Sequence, residues 1–321
     1  VHGSAAGKLA VESRGGEFSL AVRQLELGLR QLRLGDAYPV FERGKLSGSL
    51  AFEPFVRRDN RGLQMLQHLS ADLQVDIDPV TLAFLNLFTL NMKGVRVNGE
   101  GAVQGLLRYQ HGQVLPGTDF TVAAKQMQVS VMDHDIQGHG LVGLRLGPET
   151  DDQLDLNFRF DEVAIKHRDE SSPLLVGSGL VLSLGADGRV LPQDDQLNRG
   201  VSIGVQLENV AVPDLHVLQR YLPGKWPLEL KGGDGRLSGE AWLAATALNV
   251  DLQLVSSNAT AALRDYVFDT NIDASLKLDN PSLAEQPTRV GGSFIRLEGA
   301  RLQRAGREAA PRWEAYLTVL E

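Results

Sequence analysis

The sequence predicts a mainly-β protein: a long, curled, mostly antiparallel sheet forming a trough, with a few short helices. Three observations carry that prediction. Apolar and polar residues alternate in run after run, turn signals separate the runs, and too little of the chain has helical periodicity to cover one face of so much sheet. Side chains of an extended strand point alternately to opposite faces, so each run makes one apolar face and one polar face.

Along the chain, Gly7-Lys8-Leu9 opens the first run and Gly44-Lys-Leu-Ser-Gly48 opens a later one. Leu73, Val75 and Ile77 give one face of the next strand. Pro79 then introduces a short amphipathic helix with Phe84, Leu87 and Phe88, because a proline in the first helical turn has no N–H partner to lose. Gly99-Glu-Gly101 and Gly105 follow, then strands over Phe120 to Val131 and Leu144 to Leu146, with a hairpin end at Asp133. Leu154, Leu156, Phe158 and Phe160 alternate with Asp155, Asn157, Arg159 and Asp161, and Val201, Ile203, Val205 and Leu207 form another face. Pro213 introduces a second short helix, with Leu215, Leu218 and Leu222 on one stripe and Pro223-Gly224 ending it before Trp226. Gly233-Asp-Gly235 and Gly239 precede a strand from Leu248 to Ala262, whose face carries Leu248, Val250, Leu252 and Leu254. Beyond Asp265 come Ile272, Ala274, Leu276 and Leu278. Turn signals such as Arg14-Gly15-Gly16, Gln110-His111-Gly112 and Asp279-Asn280-Pro281 join neighbouring strands as hairpins, which makes the sheet antiparallel.

The order of proline, short helix, Gly-x-Gly and Gly recurs. Pro79, Gly99 and Gly105 each lie 134 residues before Pro213, Gly233 and Gly239, and Asp133 lies 132 before Asp265. The chain therefore reads as one continuous repeating β-groove fragment: a partial N-terminal unit over 1–78, a repeat unit over 79–212 and an incomplete second one over 213–321. If about 18 strands stack at about 4.8 Å each, the sheet runs for roughly 85 Å. Strand twist curls a sheet of that length. It then closes as a sandwich whose apolar faces meet, or leaves a trough whose lining stays partly open, and repetition without a linker favours the trough.

Composition narrows the function classes. At 321 residues and 43% apolar content the chain is globular, and a net charge of −8 with interspersed signs disfavours nucleic acid. The absence of cysteine removes thiol catalysis, Cys-ligated zinc and disulfides. The longest apolar stretch, Pro79 to Met92, falls short of the roughly 20 residues of a membrane span. A start at Val1 and an unfinished strand from Ala315 to Leu320 read as a piece of a longer protein, with any anchor or targeting segment outside it.

No motif for chemistry stands out. Gly99-x-Gly101 and Gly233-x-Gly235 precede strands, whereas a nucleotide loop needs a following helix, so they read as turn or strand-edge glycines. Asp133-His134-Asp135 with His139 invites a metal, but in a strand His134 points away from both aspartates, and Asp265 in the second copy brings no histidine. The seven histidines, at positions 2, 68, 111, 134, 139, 167 and 216, lie near no nucleophile elbow. Asp151-Asp152 and Asp194-Asp195 read as solvated turns, and Arg57, Arg58 and Arg61 as a solvated loop or a contact for anionic head groups. Tyr221, Trp226 and the helical stripes either pack ordinarily or plug the trough.

The segment Leu215 to Leu243, LHVLQRYLPGKWPLELKGGDGRLSGEAWL, has a helix ending in Tyr-Leu-Pro, a glycine-rich turn and a strand of the form Gly-x-Leu-x-Gly. In this the chain resembles the AsmA-like proteins of the Gram-negative envelope, a branch of the repeating β-groove, or bridge-like, lipid transfer proteins. The resemblance implies a periplasmic protein, anchored to the inner membrane, whose taco-shaped sheet shields acyl chains while phospholipid moves between inner and outer membranes.

Physical reasoning agrees with that expectation. Removing a hydrocarbon tail from water is worth about 0.8 kcal/mol per methylene. A lining without a specific anchor lets a lipid move from rung to rung at little cost. The expected acyl-chain contacts are Leu73, Val75, Ile77, Leu154, Leu156, Phe158, Phe160, Val201, Ile203, Val205, Leu207, Leu248, Val250, Leu252, Leu254, Ile272 and Leu276. No enzyme activity, cofactor, metal or nucleic acid is expected, and protein partners in both membranes are expected at the groove ends. Two alternatives stand beside this reading: an envelope scaffold that assists outer-membrane protein assembly through exposed strand edges, and a carbohydrate-binding β-domain, for which 6% aromatic content is poor.

Overall fold

The computed structural model describes residues 2–14, 17–34, 38–56, 58–59, 62–87, 89, 94–146, 153–187, 202–221, 228–244, 247–280, 289–304 and 307–318. The protein is mainly β, with 79% strand against 7% helix, and its strands belong to one large antiparallel sheet, as alternation predicts. In chain order the strands are β1 (His2–Arg14), β2 (Glu17–Leu34), β3 (Tyr38–Val56), β4 (Leu69–Thr81), β5 (Val95–Gln110), β6 (Gln113–Val114), β7 (Thr118–Val131), β8 (His134–Leu146) and β9 (Gln153–His167). They continue as β10 (Leu175–Gly177), β11 (Leu180–Asp187), β12 (Ser202–Val212), β13 (Leu228–Gly232), β14 (Gly235–Leu243), β15 (Leu248–Leu263), β16 (Tyr266–Asn280), β17 (Phe294–Arg304) and β18 (Arg307–Thr318).

The expected helices are tight 3-10 turns, Leu82–Leu87 and Leu215–Tyr221, and the sequence reading passed over a third at Gly62–His68. Segments this short gain little from α-helical propagation, and the 3-10 form suits them. Pro79 does not start a helix. It lies within β4, where the pairing with β5 slips between Ile77 and Val80, as a residue without an N–H requires. Pro213 does precede its turn, and Asp214 caps it: its Oδ1 accepts the His216 N–H at 2.9 Å.

Two compact units divide the chain. The first comprises Val1–Asp133, Gln137–Arg159 and Ser183–Ser202, the second His134–Ile136, Phe160–Leu182 and Ile203–Glu321. In the first, β1 pairs β2, β2 pairs β3, β3 pairs β4, β4 pairs β5, and β5 pairs β7. Register places Val22, Leu50, Ala71 and Tyr109 in one cross-strand row and Ile77, Val103 and Val122 in another. This unit has a dry core: Leu82, Leu85, Val97, Val122, Val129, Val142, Leu144 and Phe158 have no accessible surface.

In the second unit β12 pairs β14, β14 pairs β15, β15 pairs β16, β16 pairs β17 and β17 pairs β18, while the short β13 pairs the far end of β15. Two Gly-x-Leu-x-Gly strands of the repeat behave alike. Gly48 in β3 and Gly239 in β14 have φ of 135° and 123°, and each stands where the preceding strand bulges, at Val22/Leu25 and at Leu207/Val210. A Cβ at either glycine would lie 2.0 Å from a carbonyl oxygen of the following strand, Asp72 O or Asp251 O. Only glycine fits so close a backbone approach.

Candidate functional site: the apolar face of the second unit

Antiparallel pairing keeps directly opposed residues on one face, so the register reads out the composition of each face. Four cross-strand rows build the apolar one: Ile203–Leu243–Leu248, Val205–Ala241–Val250–Leu278, Leu207–Gly239–Leu252–Leu276 and Leu237–Leu254–Ala274–Ile295–Leu317. Ile272 and Leu297 add another pair, and Ala261, Phe268 and Leu302 continue the face towards the hairpin ends. The opposite face carries Glu240, Asp251, Gln253, Asp273 and Lys277. There the Lys277 ammonium meets Asp251 at 3.2 Å, and the Gln253 amide donates to Asp273 at 3.0 Å.

The apolar rows are only partly covered. Ile203, Val205, Leu248, Leu252 and Leu254 are half-buried, Leu276 is 43% exposed and Leu317 is 65% exposed, whereas Leu207, Val250 and Ile272 are buried. Elsewhere the expected lining is enclosed. In the first unit Leu73, Val75, Leu154, Leu156 and Phe158 are core side chains and Ile77 is half-buried; Phe160 is a core side chain of the second. Val201 lies outside the described residues. Among the expected lining residues, most of those left partly open therefore lie in the second unit's strands.

One end of this face is closed by the turn Leu215–Tyr221. Leu215 is fully buried, and Leu218 packs on Leu230, Ala261 and Phe268 together with Leu297 and Leu302. The turn is tied down by polar contacts. Gln219 Oε1 accepts the Leu230 N–H at 2.7 Å, Arg220 meets Glu170 at 2.9 Å, and Tyr221 Oη lies 2.6 Å from His134 Nε2. Partial burial raises the Tyr221 phenol above its ordinary pKa, with Glu170 adding to the rise and Arg220 opposing it. Trp226 lies outside the described residues.

A matching tether occurs in the first unit. Asn86, in the turn Leu82–Leu87, donates from Nδ2 to Val97 O and accepts the Val97 N–H at Oδ1, both at 2.8 Å. β5 pairs β7 over Val95–Gly99 but pairs β4 only from Glu100 onward, so the Asn86 amide serves the side of β5 that no strand covers. Sequence reading missed both amides. The available signal was a polar amide eleven residues ahead of a strand residue in each copy, inside a segment otherwise read only for its apolar stripe.

The other residues singled out by sequence separate widely in role. His68 stacks on Phe55 with ring centroids 5.1 Å apart, His111 Nε2 meets Glu53 at 2.6 Å, and His134 lies edge-on to His167 at 5.4 Å. Among the described residues no group of three or more His, Cys, Asp or Glu is placed to hold a metal ion. Gly99 and Gly101 lie inside β5 rather than in a turn, and Gly233 with Asp234 joins β13 to β14. Arg58 sits in a turn, while Arg57, Arg61, Asp151, Asp152, Asp194 and Asp195 lie outside the described residues. No described helix is long and apolar enough to cross a membrane. No family model, no curated protein and no solved structure matches this chain.

Proposed function

We propose that the chain is a lipid-transfer segment of the Gram-negative periplasm, tethered to the inner membrane by a segment outside it, which shields phospholipid acyl chains in transit between the two membranes. The observation that supports this reading is the aliphatic face of β12 and β14–β18, charge-free across its four rows and left partly uncovered, with a charged, ion-paired face behind it. A face of this kind removes methylenes from water at many equivalent positions and fixes none of them. Large contiguous exposed apolar surface on a protein marks a place where something docks.

The test is organic extraction of the purified chain followed by mass spectrometry, with Leu252→Asp and Leu276→Asp as variants. Co-purified phospholipid in the wild type, reduced several-fold in both variants at unchanged circular dichroism, supports transfer. A lipid-free wild type overturns it. The second reading, a scaffold that accepts a strand from an assembling outer-membrane protein, draws on the exposure of Tyr316 and Leu317 on β18. It predicts instead that a proline placed in β18 abolishes partner binding and leaves lipid content alone.

A further inference from the structure

On the polar face of the second unit, three neighbouring strand pairings slip at the same level. Ser257 and Asn258 of β15 stand against Asn271 alone, between the pairs Ser256–Ile272 and Ala259–Thr270. Gly299 and Ala300 of β17 stand against Thr270, between Asn271–Glu298 and Asp269–Arg301. The pairing of β17 with β18 slips between Leu297 and Ala300 and again between Ala300 and Leu302, where Arg312 falls in the step that faces Arg301. Bulges re-aim side chains and sharpen the local bend of a sheet. Here they surround a hollow of about 470 Å3, and glycine aside every residue lining it is polar or charged. Gly299 has φ of 63° and no atom within 4 Å of where a Cβ would stand, so its missing side chain leaves space open. Several of the lining groups are already engaged. The Asn258 amide bonds the Asp234 backbone and side chain, Thr270 Oγ1 donates to main-chain carbonyls, and Glu298 meets Arg296 at 2.8 Å. One Asp269 oxygen accepts the Thr260 hydroxyl at 2.8 Å. The hollow therefore offers a guest the guanidinium groups of Arg301 and Arg312, the Asn271 amide, the Ser257 hydroxyl and the second Asp269 oxygen.

We propose that this hollow binds a small hydroxylated carboxylate of the sugar-acid class. With Glu298 matched by Arg296, two cations stand against the single carboxylate of Asp269, so the hollow favours an anion. Arg301 and Arg312 are distinguished by the cavity they share, and paired guanidinium donors match the plane of a carboxylate. A sugar hydroxyl donates and accepts at once. The Asn271 amide, the Ser257 hydroxyl and the second Asp269 oxygen supply both roles. The volume falls in the range of small-molecule pockets, about 300–1,000 Å3. No apolar or aromatic side chain lines the hollow, so it does not suit a lipid tail and recognises its guest without ring stacking. It lies on the opposite face from the aliphatic rows, and it stands or falls independently of lipid transfer.

The experiment is isothermal titration calorimetry of the 321-residue chain with glucuronate, galacturonate, glucose and inorganic phosphate. At least one sugar acid is expected to bind saturably, about tenfold or more tighter than glucose or phosphate. Arg301→Gln and Arg312→Gln each weaken it about tenfold, the worth of one charge-assisted hydrogen bond. Asn271→Ala weakens the sugar acid several-fold and leaves phosphate unchanged. Because these three side chains are exposed, circular dichroism and the thermal midpoint stay those of wild type. Saturable binding of neither sugar acid overturns the proposal, as does binding that all three variants retain. Phosphate bound as tightly as the sugar acid means that the hollow reads charge alone, which overturns the sugar as occupant. Glucose bound as tightly overturns the role of the arginines.

Discussion

A glycine and a tyrosine illustrate how single residues are constrained by this sheet. Gly239 brings the β14 backbone so near Asp251 O that Gly239→Ala forces the strands apart at a bulge and adds a left-handed alanine. The expected loss is at least about 1 kcal/mol, seen as a lower midpoint in urea. Tyr109 is almost fully buried in the first unit, and its hydroxyl has no hydrogen-bond partner among the described residues. Burial pushes its pKa up from 10.0 to about 12, with the Gly112 backbone limiting the rise. The folded protein therefore holds this proton more tightly than the unfolded chain. The corresponding stability is intact below pH 10.0 and is lost as pH rises through about 12. Tyr109→Phe removes both the unpaired hydroxyl and the titration, so its unfolding midpoint should fall less steeply than wild type over that alkaline window.

At the scale of elements, the segments around Leu82–Leu87 and Leu215–Tyr221 share a device rather than a helix. In each copy a 3-10 turn buries a leucine, Leu82 or Leu215, and extends an amide, Asn86 or Gln219, to the backbone of a strand eleven residues on. Replacing Asn86 with Leu leaves the Val97 N–H and C=O without their partner, which should cost about 1–3 kcal/mol in chemical denaturation. Gln219→Leu strands one donor and should cost less. Alternation made the strands legible, since residues two apart share a face whatever the sheet does next, and Leu248 to Leu254 shows this in register. The short helices were legible in position but not in type. Pro79 misled because proline serves a bulged strand as readily as a first helical turn. The amide tethers were invisible because nothing local distinguishes a side chain that feeds a distant backbone from one that faces water.

For the molecule as a whole, identical alternation hides two environments. Phe158 in the first unit is fully enclosed, while Leu276 in the second stands 43% exposed, yet both occupy the apolar phase of an alternating strand. The same change should therefore have opposite consequences. Phe158→Asp puts an uncompensated charge and a cavity in a dry core, at a cost of roughly 3–5 kcal/mol, and should leave little folded protein. Leu276→Asp should move the thermal midpoint by only a degree or two. Sequence can say which phase is apolar but not which part of it is covered, because coverage depends on elements far away in the chain. That is why the expected lining mixes core residues with open ones.

The amide tethers bear on how the chain behaves in crowded solution. A strand flank with free N–H and C=O groups is a template on which other polypeptides nucleate, and Asn86 and Gln219 occupy that template in β5 and β13. Stripping either amide should do more than soften the fold. It should create a seeding point for intermolecular pairing, so that Asn86→Leu scatters light and precipitates with a steep dependence on protein concentration, well below its melting temperature.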